Sequence, residues 1–157
     1  MTIFNKPLSE YVAFCGPFLI LIPLVGIVRL VLSVNGAPNA TVRWVTMTGL
    51  MVIAVIYCAV RVHTTGFGTY KHLLVICVLL NLTTQIVSII GIVTARVTGR
   101  ENIYSAPEYS FGQGSSLLHI ALHMFVGTTA GSLVPWLVGS LILAATRKLS
   151  APSRAQA

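Results

Sequence analysis

Four stretches of this chain are too long and too apolar to be solvated by water, and they decide its fold class. A helix that crosses roughly 30 Å of hydrocarbon needs about 20 mainly apolar residues, because lipid offers the backbone no hydrogen-bond partners. Segments 11–34, 44–60 and 73–95 read as such spans. A fourth apolar stretch, 117–146, is longer than one crossing requires. It divides into a span over 126–146 and a helical head over 117–125 that protrudes or lies in the interface. The expected fold is all-α: an integral membrane four-helix bundle, a single transmembrane domain with short connections and one longer loop between the third and fourth helices.

Charge supports the same reading. Only 8% of the 157 residues are charged, against about a quarter in a soluble domain. A water-facing surface could not be covered with so few. The net charge of +7 comes from ten Lys and Arg against three acids. These basic residues stand singly between apolar runs, with no aromatic-interleaved patch of the kind that binds nucleic acid. They read as anchors at helix ends, and the lipid bilayer is the first partner. The stretch after Lys6 and Glu10 is too long for the apolar core of a cleaved signal peptide, so the first helix is expected to remain.

Turn chemistry separates the spans. Asn35-Gly36-Ala37-Pro38-Asn39 and Thr64-Thr65-Gly66-Phe67-Gly68-Thr69 both carry helix-breaking residues. The connection 96–116 is the longest and holds Glu101, Glu108, Tyr104, Tyr109 and Phe111. A tail over 149–157, small and polar, is expected to be disordered. Four crossings place both termini and the middle loop on one side, with Lys6, Arg61, Lys71, Arg147, Lys148 and Arg154. The opposite side carries Arg43, Arg96 and Arg100, with Arg29 snorkelling toward it. The excess of positive charge predicts cytoplasmic N- and C-termini.

Helices in lipid associate through small residues and polar contacts, since lipid tails are as apolar as leucine. Gly127, Gly131 and Gly139 give the fourth helix a small-residue face that should pack within the chain, with dimerisation as the alternative. Gly16-Pro17, Pro23 and Gly26 make a comparable irregularity in the first helix. The third helix carries a polar intramembrane face, Asn81, Thr84, Gln85 and Ser88. Interhelical hydrogen bonding is the favoured role for that face, and a small polar cavity is the alternative. No Asp or Glu lies in any span, which argues against proton-coupled transport.

The strongest chemical pattern is His119-Ile120-Ala121-Leu122-His123. Histidines at i and i+4 share a helix face and can clamp one metal ion. Glu108 or Glu101, on the preceding loop, would add a carboxylate, a donor set suited to Zn, Fe or Cu. No glutamate within the helix supplies the general base of a zinc protease. Haem is not favoured: two histidines on one helix cannot take both axial positions. Cys15, Cys58 and Cys77 fall in apolar segments at one depth, where thiols are mostly small apolar residues. Asn39-Ala40-Thr41 matches a glycosylation sequon, and no nucleophile elbow or phosphate loop is present.

These readings favour a non-enzymatic subunit or accessory of a membrane assembly, working with a protein partner or a second copy of itself. The alternatives are a metal-binding protein or metal-dependent enzyme using His119 and His123, and a passive channel or carrier with a cavity near Asn81 and Gln85.

Overall fold

A computed structural model describes residues 1–150. Its elements in chain order are a two-stranded hairpin, β1 (Thr2–Ile3) and β2 (Lys6–Pro7), then α1 (Leu8–Val34), α2 (Asn39–Val42), α3 (Met47–Thr64) and α4 (Tyr70–Thr98). There follow α5 (Leu117–Leu122), a π-helical turn (His123–Gly127) and α6 (Thr128–Ser150). Four helical stretches are long and apolar enough to cross a membrane: Leu8–Val34, Asn39–Thr64, Tyr70–Thr98 and Leu117–Ser150. The expected all-α four-helix bundle is what forms. α3 and α4 sit centrally, each packed against both α1 and α6.

Local chemistry explains where these helices stop. α1 ends in a glycine-capped turn: Gly36, at φ +85°, lets Ala37 N–H reach the Leu32 carbonyl at 3.0 Å. α4 opens on Thr69 with a capping box in which His72 Nδ1 accepts from the Thr69 amide at 3.0 Å. It closes on Gly99, at φ +66°. The hairpin before α1 has no counterpart in the sequence reading. Phe4 and Asn5 both take positive φ, as a two-residue hairpin turn requires, but neither is the glycine that announces one. Tyr11 Oη donates to the Ile3 carbonyl at 2.9 Å and fastens the hairpin to the bundle.

Several boundaries differ from expectation: α1 opens at Leu8, α3 runs on to Thr64, and α4 extends over Tyr70–Thr98. Trp44 and Val45 precede α3 rather than lying in it, because Thr46 caps the helix through the Gly49 amide. Leu149 and Ser150, expected in the tail, are the last residues of α6, while the rest of that tail lies outside the described residues. Leu117–Leu122 runs through the π-turn into α6 and packs on α4. A buried glutamine on α4 holds it there, as described below.

The small residues of the last helix pack within the chain. A β-carbon on Gly127 would lie 2.7 Å from Gln85 Oε1, and one on Gly131 would lie 2.6 Å from Asn81 Oδ1. One on Gly139 would sit 3.0 Å from Val55 and 3.1 Å from Leu73. In α1 only Gly26 plays this part, against Met47 and Val87; Gly16, expected to share it, faces open space.

The long connection folds inward. Residues 102–106 are buried and plug one end of the bundle between α1 and α4. Asn102 Nδ2 donates to the Gly91 carbonyl at 2.8 Å, and the Ile103 amide donates to Ser33 Oγ at 2.8 Å. Tyr104 inserts deepest: its ring occupies the space above Gly91, and its hydroxyl donates to the Gly26 carbonyl at 2.9 Å. The Arg29 guanidinium lies 5.3 Å from the centre of that ring. Burial pushes the Tyr104 phenol up to about 12, with Arg29 pulling the other way.

Candidate functional site

Asn81 and Gln85 lie near the middle of α4, one turn apart on its buried face. In hydrocarbon each amide needs partners, and α6 supplies them. Asn81 Nδ2 donates to the carbonyls of Gly127 and Thr128, at 3.1 and 3.0 Å, and lies 3.1 Å from Ser132 Oγ. Those carbonyls lie at the end of the π-turn, whose last residue is Gly127, where the regular ladder of the helix is disturbed. Gln85 Nε2 donates to Asn81 Oδ1 at 3.0 Å, and His123 Nδ1 lies 2.6 Å from Gln85 Oε1.

This relay has one direction. A backbone carbonyl only accepts, so Asn81 must turn its NH₂ toward Gly127 and Thr128. Its oxygen then faces Gln85, which must donate through Nε2. Gln85 Oε1 is left facing the imidazole, so Nδ1 of His123 carries the proton. The same logic fixes His119, whose Nδ1 lies 2.6 Å from the Gly114 carbonyl. Both rings therefore carry a proton on Nδ1, and the neutral form of each leaves its lone pair on Nε2. Among the described residues, neither Nε2 has a hydrogen-bond partner, and neither is sealed from solvent-sized contact.

The two rings stand 5.0 Å apart, tilted by 41°. They line a half-open cavity of about 430 Å³ with Tyr109, Ser110, Phe111 and Gln113 of the loop and Leu122 and Val126 of the helix. His119 is buried and His123 half-buried, whereas Leu122 and Val126 are exposed. Phe111 is 98% exposed at the rim and holds a positive φ of +51°, a strained conformation for a residue other than glycine. The lining contains no Asp, Glu, Lys or Arg.

The proposed metal set does not assemble. Glu108 is occupied by Asn39, whose Nδ2 donates to its Oε1 at 3.0 Å. Glu101 is exposed at the start of the loop plug. Among the described residues, no three of His, Cys, Asp and Glu gather where they could hold a metal ion. Backbone hydrogen bonds, and then the Asn39 amide, hold the Glu108 carboxyl below its usual range. Asn39, the sequon residue, thereby spends its amide on a loop contact.

The rest of the polar face divides. Ser88 is buried but stands outside the relay, and Thr84 turns back to the Leu80 carbonyl of its own helix, at 3.4 Å. His72 spends both nitrogens on the hairpin and the α4 cap: Nδ1 as above, and Nε2 3.2 Å from the Phe4 carbonyl. Cys15, Cys58 and Cys77 are free and buried. The sequence reading missed three parts of the site: the π-turn, the Gln85–His123 bond, and the contribution of Gln113 to the cavity wall. Only a matched depth between 85 and 123 could have revealed the second, and no spacing within one helix encodes it.

Comparison with family models, with curated proteins and with solved structures finds no match to this chain.

Proposed function

We propose that this multi-pass membrane protein is non-enzymatic and holds a small lipid-soluble molecule in the cavity beside His119 and His123. One observation carries the reading: a buried relay that begins at backbone carbonyls ends on an imidazole that lines a mostly apolar cavity. Small-molecule sites have this character, an apolar wall with a few well-placed polar atoms. A π-turn beneath the cavity adds support, since such turns recur at functional positions.

A divalent metal fits less well, because the wall offers no carboxylate to offset its charge in a medium of low dielectric. A channel past Asn81 and Gln85 is also disfavoured, because both amides are buried and committed across α4 and α6. The accessory-subunit reading is favoured by a separate feature: Trp44 and Phe111 are both exposed, on the two connections at the loop end of the bundle. Lys6, Arg61, Lys71, Arg147 and Lys148 lie at or beyond the other helix ends, which supports a cytoplasmic position for that side.

Native mass spectrometry of the full chain in nanodiscs made from its own membrane lipids tests the proposal. The expected result is a retained small-molecule mass that a cavity-filling Leu122→Trp variant lacks. A retained polypeptide would favour the accessory reading. A bare chain, or an adduct indifferent to Leu122→Trp, would contradict the cavity reading.

A further inference from the structure

The two imidazoles also say what kind of molecule the cavity takes, an inference that rests on the reading above. Both Nδ1 atoms already donate, to Gly114 O and Gln85 Oε1, so each neutral ring accepts at its remaining nitrogen. An accepting pair selects a ligand that donates. Around the pair, Leu122 and Val126 give apolar wall, while Tyr109 and Phe111 give aromatic edges and faces. The wall holds no charged side chain to pair with an ionic headgroup. Phe111, almost wholly exposed and held at positive φ, adds an aromatic side chain to the same lining.

We infer that the cavity binds a lipid-soluble phenol or hydroquinone, with its hydroxyl donating to the Nε2 of His119 or His123 and its ring against the apolar wall. A quinone of the same shape carries only acceptors. Its oxygens would face two nitrogen lone pairs, and the site discriminates against it for that reason. An ether of the hydroquinone fills the same space with no donor and is rejected on the same ground.

The test uses the full chain in phosphatidylcholine nanodiscs, kept free of oxygen, with menadiol, menadione and menadiol dimethyl ether as probes. Menadiol is expected to saturate one site, with menadione and the ether at least about tenfold weaker, the discrimination expected of a site built around a hydrogen bond. Either His119→Ala, which leaves the Asn81–Gln85–His123 relay intact, or His123→Ala is expected to cut menadiol affinity by a similar factor and leave the ether unchanged. Leu122→Trp, which spares both imidazoles, is expected to weaken all three probes.

Equal affinity for menadiol and its ether in the unaltered protein would overturn the inference without any variant being needed. So would menadiol binding that ignores both His119→Ala and His123→Ala. If none of the probes binds while the chain keeps its native small-molecule mass, the phenolic class is wrong and the cavity reading stands. If both fail, both are overturned.

Discussion

The bond between Gln85 and His123 joins α4 to the π-turn, and its strength can be measured by a double-mutant cycle. Gln85→Ala removes both the bond to His123 and the bond to Asn81 Oδ1, whereas His123→Ala removes only the first. Interhelical hydrogen bonds in membrane proteins average about 0.6 kcal/mol by such cycles, with an upper value near 1.7 kcal/mol. The Gln85–His123 bond is short, at 2.6 Å, and Gln85 is buried. The coupling is therefore expected in the upper half of that range, about 1–1.7 kcal/mol. Gln85→Ala alone should cost more than His123→Ala, by about one further bond of roughly 0.6 kcal/mol. Reversible unfolding of the full chain in mixed micelles, followed by helix signal across both single variants and the double, reads these quantities. A coupling of about zero, within the roughly 0.3–0.5 kcal/mol scatter of non-interacting pairs, would refute the claim that the relay reaches His123.

Further outcomes follow from the same contacts. Gly131→Val should cost about 1–3 kcal/mol by overpacking against Asn81, whereas Gly16→Ala, which meets nothing within 4 Å, should be near neutral in the same unfolding assay. Tyr104→Phe removes the bond to the Gly26 carbonyl and should cost about 0.5–1.5 kcal/mol. Faster amide exchange over residues 100–112 with little change in α3 would confirm a local opening. Glu108 has a depressed carboxyl pKa in the fold, so its tie to Asn39 is present above the ordinary carboxylate range and is lost as pH falls through the depressed value. Carbon-detected titration should show Asn39→Ala moving that pKa upward, and an unmoved value would break the assignment.

The spans were legible because hydropathy and length alone decide what can cross lipid, and the glycines of the last helix were legible because close packing there needs small residues. Asn81 and Gln85 could be read as an inward face since an amide in hydrocarbon must find a partner. What could not be read was the partner itself. Gln85 meets His123 across two helices 38 positions apart in sequence, at the residue where the π-turn of the last helix begins. The acids of the long loop seemed available to the histidines by proximity in sequence. Tyr104, Asn102 and Ile103 instead draw that loop into the end of the bundle and leave Glu108 to Asn39. Apolar burial and backbone satisfaction outweighed a charge pattern that offered no comparable gain.

The tautomeric state of the two histidines is the most direct measurement of the account, and nitrogen-15 NMR of the labelled imidazoles in nanodiscs provides it. Protonated Nδ1 and bare Nε2 on both His119 and His123, with a shift across Nδ1 of His123 when Gln85 is replaced by Leu, is the expected result. A bare Nδ1 with the proton on Nε2 of either ring would contradict both the direction of the hydrogen bonds and the ligand drawn from them.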